Sequence, residues 1–359
     1  MLTQGDTAPW FQGRASSGLL LNLGILGGRY VVLSFLGSST FGPIPQLVQE
    51  IERQQAVFDG VDASFIGVSI DPDDERQKRL QSPSPGISYF WDFDASISRL
   101  YDAARPQGGY IVHSLVLDPS LRVAAFIPFE GDGPAHARRI VEVLQSLPRV
   151  NAMEGLPPIL VLPNIFEAPL CQALIDRHAT DAGQDIGYTA FENGRPVNKY
   201  DNVNRRARDW VIKDREVISA LDSRLRRRLF PQVERVFQYS ATQIEDFIVT
   251  RYDAPEAGQA SGFFAPHRDN TNPLTTFRKF AVSLALNSDA YDGGGLHFPE
   301  YSSRGFYAPT GGAIIFSCSL MHEVRPITRG KRFACPLFIY DDEAAKRRAE
   351  IRRAQNQAK

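Results

Sequence analysis

Three side chains in the C-terminal half have the residue types and the spacing of a metal-binding set. His267 and Asp269 are separated by one residue, and His322 follows much later in the chain. Two imidazoles and one carboxylate leave half of the octahedron of an iron(II) ion open for other ligands. Residues i and i+2 of a strand point to the same face, about 6–7 Å apart. His267 and Asp269 can therefore reach one metal ion while Arg268 faces away.

The segments that must position these side chains have the pattern of short β-strands. Apolar runs follow Asp269 at regular intervals and are separated by Gly, Pro and Asn. The apolar runs comprise residues 280–287, 296–298, 313–316 and 332–340, and the turns comprise residues 292–295, 309–312 and 328–330. This pattern is typical of an all-β sandwich or barrel.

Four motifs occur in this region in a fixed order: His-x-Asp, Gly-Gly-x-Leu-x-Phe, Pro-x-Gly-x-x-Ile-x-Phe and His-x-Val-x-Pro-Ile-Thr-x-Gly-x-Arg. Residues 157–341 thereby resemble the iron(II)/2-oxoglutarate oxygenases, nearest to the prolyl 4-hydroxylase-like branch. The resemblance implies a double-stranded β-helix (jelly roll) with supporting helices, followed by a basic tail at 342–359. It implies Fe(II), 2-oxoglutarate and O2, with ascorbate as a further candidate. His267, Asp269 and His322 would be the metal ligands and catalytic residues.

The same resemblance assigns the co-substrate site. Arg332 would bind the distal carboxylate of 2-oxoglutarate, because a guanidinium presents a planar fork that matches a carboxylate. Arg329 and Lys331 are the alternatives, since both adjoin the turn at Gly330.

Two further side chains are predicted to face the co-substrate. Tyr252 lies in a strand before the His-x-Asp motif, where the family often places a tyrosine. A second tyrosine of some relatives is absent here, which leaves Ser283 as the polar contact on the strand after Asp269. Leu296 should point inward, so its neighbour His297 should face outward and is not predicted to be a ligand.

Composition and charge exclude several classes of partner. The chain has 40 basic and 41 acidic side chains, so no overall field attracts nucleic acid or an anionic membrane. We find no charged-then-apolar leader and no long apolar run, which favours a cytoplasmic location without membrane association. The three cysteines, Cys171, Cys318 and Cys335, form no disulfide framework or C-x-x-C motif, and the last two are predicted to be buried in strands.

Residues 1–150 alternate between predicted strands and helices, which suggests a separate three-layer α/β domain. The order of the elements resembles the thioredoxin fold, nearest to its peroxiredoxin branch. Details of that resemblance are Gly5-Asp-Thr-Ala-Pro9 near the start and Val116-Leu-Asp-Pro119 late in the domain.

The departure from that family lies at the redox site. Residues 41–44, Phe-Gly-Pro-Ile, stand where a Cys-Gly-Pro-Cys would be, and residues 1–150 contain no cysteine. Peroxidase and disulfide chemistry need a thiolate, which the hydroxyls of Ser39 and Thr40 cannot replace. His113 is interpreted as a structural or pocket residue. The domain is therefore predicted to be redox-inactive, and a homodimer through it is a further hypothesis.

The predicted reaction is hydroxylation of a C–H bond, with succinate and CO2 as co-products. The substrate stays open between an amino acid, a prolyl-type peptide or protein, and another small molecule. Its contacts are expected from three loops, at residues 188–204, 253–264 and 270–278. A non-catalytic protein that senses iron or 2-oxoglutarate, or that docks a partner through the thioredoxin-like domain, is the alternative. A thiol peroxidase is disfavoured by the missing cysteine.

Overall fold

A computed structural model of the chain describes residues 2–152, 154–180, 187–192, 195–199, 204–256 and 260–357. The chain divides into two compact units, one of Met1–Leu156 with Pro299–Ser303, and one of Pro157–Phe298 with Arg304–Lys359. Each unit has its own hydrophobic core, which is the property of a domain. In the part of the chain that the structure describes, no helix is both long and apolar enough to cross a membrane.

The first unit is built on a seven-stranded sheet. Its strands are β1 (Gln12–Ala15), β2 (Leu20–Asn22), β3 (Tyr30–Gly37), β4 (Ala63–Ser69), β5 (Ile87–Trp91), β6 (His113–Leu117) and β7 (Val123–Pro128). Their order is β2-β1-β5-β4-β3-β6-β7. The strands β3, β4 and β5 are parallel to one another, and the other neighbours are antiparallel.

Helices cover both faces of this sheet. They are α1 (Ile44–Arg53), α2 (Pro72–Arg76), α3 (Ser96–Leu100) and α4 (Gly133–Ser146). The fully buried strand β3 alternates its side chains between two cores: Val32 and Leu36 pack with α1 and α4, and Leu33 and Phe35 pack with α3. Such three-layer packing buries apolar side chains on both faces of the central strand. It confirms the predicted thioredoxin-like α/β fold.

A buried carboxylate organises the loop where the resembled family carries its redox cysteine. Asp74 is fully buried and accepts hydrogen bonds from the Ser39 amide (2.9 Å), the Ser39 hydroxyl (2.5 Å) and the Ser69 hydroxyl (2.7 Å). The guanidinium of Arg79 lies 3.5 Å from the same carboxylate. Ser39 therefore serves to satisfy a buried anion, and its hydroxyl proton is committed to the Asp74 carboxylate.

Two buried histidines lie on strand β6 and helix α4. The ring of His113 packs between Phe35 and Phe126, with centroids 5.0 and 5.1 Å away. The Nε2 atom of His136 lies 2.9 Å from the Ser114 hydroxyl. Burial lowers the pKa of His113, and it lowers the pKa of His136 to about 4. Both rings are therefore neutral in the folded unit at neutral pH, as expected for a structural His113.

We expect the first unit to lose stability as the pH falls from about 6.5 to about 4. An unfolded chain protonates its histidines near pH 6.5, whereas folded His136 resists protonation until about pH 4. Protons therefore favour the unfolded state across this window, by roughly 3 kcal/mol for His136. The free energy of unfolding of this unit will be measured at each pH by urea titration, with hydrogen exchange of peptides from β3 and β6 as the readout. In His136→Gln the pH dependence should shrink, and an equally steep dependence would contradict the assignment.

The second unit contains fifteen strands in the part of the chain that is described. They are β8 (Leu160–Leu162), β9 (Tyr188–Glu192), β10 (Arg195–Lys199), β11 (Arg205–Arg206), β12 (Arg208–Val211), β13 (Gln243–Ile244), β14 (Ile248–Asp253), β15 (Phe263–His267), β16 (Phe280–Ala285), β17 (Tyr291–Gly293), β18 (Leu296–His297), β19 (Gly305–Phe306), β20 (Ala313–Ser317), β21 (His322–Val324) and β22 (Ile327–Tyr340). The large sheet has the order β12-β14-β22-β16-β20-β8, and β13 and β17 also pair with β22. The small sheet has the order β11-β15-β21-β18-β19. These antiparallel sheets form the predicted double-stranded β-helix.

Three helices support the outer face of the large sheet. They are α5 (Ala168–Thr180), α6 (Arg215–Arg228) and α7 (Phe230–Phe237). The C-terminal α8 (Asp342–Gln357) packs against Phe277 and Tyr340 instead. Residues with odd numbers in β22, such as Phe333 and Cys335, pack with α5, α6 and α7. Residues with even numbers, such as Arg332 and Ala334, face an internal cavity. This period of two is what a strand between an apolar core and a pocket requires.

Some segments differ from the sequence-based prediction. The segment predicted as a loop at 188–204 contains an antiparallel hairpin, β9–β10, while residues 193–194 and 200–203 lie outside the described residues. Residues 257–259 of the predicted loop at 253–264 also lie outside them. Helices α6 and α7 are separate, because Pro231 has no N–H to continue α6.

Candidate metal centre

The structure brings His267, Asp269 and His322 together. The donor atoms of the three side chains all lie within 4.8 Å of one another. Asp269 is central: its oxygens lie 3.6 Å from His267 Nε2 and 3.4 Å from His322 Nε2. His267 ends β15 and is the register partner of His322 at the start of β21. Pairing of two strands thus joins residues that are distant in sequence.

Backbone carbonyls fix the orientation of both imidazoles. Nδ1 of His267 lies 2.8 Å from the carbonyl oxygen of Ala265, and Nδ1 of His322 lies 3.0 Å from that of Leu320. Because a carbonyl oxygen only accepts, each Nδ1 carries the proton in the neutral ring. Each Nε2 therefore has a lone pair for a metal ion, which is the usual arrangement of metal-binding histidines.

The charge states also suit a metal ion. Burial lowers the pKa of His322 to about 4, against the opposing attraction of Asp269. Burial alone would raise the pKa of Asp269, but attraction to a protonated His322 and a hydrogen bond with His267 outweigh it and lower that pKa to about 2. At neutral pH, Asp269 is an anion and His322 is a neutral ring, as metal coordination requires.

The donor set fits a six-coordinate divalent ion. Bonds of about 2.1 Å place adjacent donors of an octahedron about 3 Å apart. The separations of 3.4 and 3.6 Å to Asp269 are close to this value. Two nitrogens and one oxygen on one side of an ion match the donor chemistry of a non-haem iron(II) site.

The three side chains line a cavity of about 480 Å³, within the range of small-molecule sites. Residues of both sheets contribute to its wall, among them Tyr252, Ser283, Leu296 and Arg332. Thr271 and Thr275 line it from the predicted loop at 270–278. The cavity is therefore large enough for a small organic acid beside the metal centre.

Arg332 is a buried cation in this cavity. Its side chain is about 5% exposed, and its Nη2 donates to the Ser283 hydroxyl at 3.2 Å. Its guanidinium carbon lies 5.2 Å from the ring centroid of Tyr252. Among the residues that the structure describes, no carboxylate lies within ion-pair distance of Arg332. A buried guanidinium without a counterion favours an anionic ligand.

The predicted co-substrate residues thus lie in one group, and the alternatives to Arg332 lie elsewhere. Arg329 forms an exposed ion pair with Asp292 at 2.5 Å, and Lys331 is exposed. Gly294 makes room for Arg332, because a Cβ at this position would lie 3.0 Å from the Arg332 Cδ atom.

The structure corrects the environment predicted for His297. Its neighbour Leu296 lines the cavity, whereas His297 is not among the lining residues. His297 is nevertheless buried rather than exposed, and its Nδ1 lies 2.6 Å from Glu323 Oε1 on the paired strand β21. The carboxylate explains how a histidine is accommodated there. The cysteines Cys171, Cys318 and Cys335 are buried as well.

Sequence analysis missed three residues next to the metal centre. The Phe264 ring stacks on His267 with centroids 3.7 Å apart and an interplanar angle of 21°. Arg205 lies over the same Phe264 ring, with its Cζ 5.5 Å from the ring centroid, and pairs with buried Asp209 at 2.7 Å. The Arg-x-x-x-Asp spacing in a region of strands gave no signal for such a pair.

Comparison with known proteins identifies a family for part of the chain. Residues 4–126 match the AhpC/TSA family. The match lies in the first unit and confirms the peroxiredoxin-like resemblance predicted for the N-terminal half.

Solved structures similar to this chain fall into two kinds. Peroxidoxin BcpB from Mycobacterium tuberculosis is 20% identical, with 41% of this chain and 99% of that chain covered and a TM-score of 0.38. The viral collagen prolyl hydroxylase vCPH from Paramecium bursaria Chlorella virus-1 is 14% identical (51% and 96% covered, TM-score 0.38). A prolyl hydroxylase from Trichoplax adhaerens is 19% identical (54% and 86% covered, TM-score 0.40).

Proposed function

We propose that the second unit is an Fe(II)/2-oxoglutarate-dependent oxygenase that hydroxylates a C–H bond. One observation carries this proposal: the His267–Asp269–His322 cluster and the buried guanidinium of Arg332 line the same cavity. A metal site alone would fit many functions. A metal site together with a buried cation fits a ligand that chelates at one end and carries a carboxylate at the other, as 2-oxoglutarate does.

In this mechanism His267, Asp269 and His322 hold the ferrous ion on one side. When bound, iron(II), 2-oxoglutarate and O2 supply the oxidation, with release of succinate and CO2. Arg332 binds the distal carboxylate with the aid of Ser283, and Tyr252 packs beside the guanidinium. The aromatic rings of Phe264 and Phe316 lie against the two imidazoles and exclude water from them. The chain thus contributes orientation and a dry site rather than acid–base chemistry.

The substrate that we propose is an amino acid, a prolyl-type peptide or protein, or a related small molecule, and ascorbate is proposed as a reductant for the iron. Thr271, Asn272, Thr275 and Arg278 provide hydrogen-bonding groups at the cavity wall. The first unit has no cysteine, and a buried carboxylate, Asp74, accepts hydrogen bonds from Ser39. We therefore assign it a non-redox role as a docking domain for a partner or for a second copy of the chain.

The proposed function is tested by anaerobic loading with iron(II) and 2-oxoglutarate, followed by exposure to O2. Succinate formation and a gain of one oxygen in candidate peptides and metabolites are then measured by mass spectrometry. We expect iron-dependent succinate in the wild-type protein and none without 2-oxoglutarate. Wild-type protein that binds iron and 2-oxoglutarate but forms no succinate would contradict the proposal and favour a sensor.

A further inference from the structure

The metal centre depends on two sheets being fixed relative to each other. His267 and His322 lie on β15 and β21 of the small sheet, whereas Tyr252 and Arg332 lie on β14 and β22 of the large sheet. A chelating co-substrate must contact both sheets at once. A shift between them of about 1 Å would therefore be costly for catalysis.

One short segment crosses from one sheet to the other beside the metal centre. Strand β11 pairs with β15, with Arg205 opposite Phe264. Strand β12 begins two residues later and pairs with β14, with Asp209 opposite Thr250. Residues 205–211 therefore connect the strand that carries His267 to the strand that carries Tyr252.

A buried ion pair spans this crossing. Arg205 and Asp209 are 8% and 3% exposed, and Arg205 Nη2 donates to Asp209 Oδ1 at 2.7 Å. The Thr250 hydroxyl donates to the same oxygen at 2.6 Å. The carboxylate is thereby fixed to the large sheet, and the guanidinium is fixed over Phe264 of the small sheet.

The aromatic ring of Phe264 transmits this restraint to the metal ligand. It stacks on the His267 imidazole at 3.7 Å, while its other neighbour is the guanidinium of Arg205. The plane of the imidazole decides where its Nε2 lone pair points. The Arg205 guanidinium, the Phe264 ring and the His267 imidazole are all planar, and their successive contacts limit rotation of the imidazole.

We propose that Arg205 and Asp209 are positioning residues that set the orientation of His267 through Phe264. This inference rests on the proposed metal site. The competing explanation is that the pair merely stabilises the fold. Buried ion pairs are commonly replaced by apolar residues without loss of stability, whereas removal of one partner leaves an uncompensated charge. This difference allows the two roles to be separated.

The experiment compares wild-type protein with Arg205→Met and with the double variant Arg205→Met/Asp209→Leu. Thermal unfolding measures stability, and titration with Co(II) alone, followed by visible absorption, measures metal affinity and coordination geometry. We expect Arg205→Met to lower the Tm and the double variant to regain most of it. The double variant should still bind Co(II) about 10- to 100-fold more weakly, with an altered band shape.

Two further variants complete the test. Phe264→Leu keeps the ion pair but removes the ring, and it should also weaken Co(II) binding about tenfold. Arg226→Met/Asp222→Leu removes an exposed pair on α6 and should bind Co(II) as the wild type does. Co(II) binding by the double variant with the wild-type affinity would overturn the positioning role. If the double variant does not fold, wild-type affinity in Phe264→Leu would overturn it instead. Wild-type protein that binds no Co(II) would overturn the proposed function itself.

Discussion

Replacing Asp269 with alanine is expected to reduce iron-dependent succinate formation to the level of metal-free protein. Asp269 supplies the only anionic donor of the cluster and lies between the two imidazoles, 3.6 and 3.4 Å from their Nε2 atoms. Its loss leaves two neutral nitrogens, which hold a hard divalent ion weakly. His267→Ala should have the same outcome. Succinate measured by mass spectrometry, with bound iron measured in parallel, checks both variants.

Asp222→Ala is the matched control for this substitution, since Asp222 lies at the surface of α6 in the same unit and forms an ion pair with Arg226. It should turn over 2-oxoglutarate as the wild type does. Wild-type turnover by both Asp269→Ala and His267→Ala would refute the metal assignment.

Replacing Arg332 with alanine is expected to raise the 2-oxoglutarate concentration needed for half-maximal turnover by about 100-fold, or about 2.7 kcal/mol. On the proposed function, the substitution would remove two charge-assisted hydrogen bonds to the distal carboxylate and leave the metal ligands in place. Arg332→Lys should recover only part of the affinity, because an ammonium cannot form the planar fork. Succinate formation measured over a range of 2-oxoglutarate concentrations checks these values.

Arg329→Ala provides the control for Arg332. Arg329 is three residues away, carries the same charge and forms an exposed pair with Asp292, so its loss should leave the requirement unchanged. If Arg329→Ala raised the requirement and Arg332→Ala did not, the carboxylate site would have to be moved to the turn at Gly330.

Much of this arrangement follows from the two-residue period of strands. That period places Ser283 on the cavity wall, and it directs Leu296 into the cavity and His297 away from it. Asp269 is different, because β15 ends at His267 and Asp269 lies in the turn that follows. The same period turns the Arg332 side chain to the opposite face of β22 from Arg329 and Lys331, because both of these lie an odd number of residues away. Of the three, Arg332 lines the cavity. Local geometry is visible in a sequence, so these placements could be predicted.

The remaining features depend on which strands become neighbours, and a single sequence does not contain that information. The Arg205–Asp209 pair exists because β11 and β12 join different sheets. The burial of His297 depends on Glu323 of the adjacent strand. The hairpin β9–β10 was missed because its polar residues lack the apolar alternation of a half-buried strand.

The carboxylate of Asp74 also limits the chemistry that the loop at Ser39 could take up. A cysteine introduced at position 39 would lie against this buried negative charge, which would disfavour the thiolate and raise the thiol pKa. A sulfur atom alone would therefore not make this loop reactive, and removal of the neighbouring acid would be needed as well.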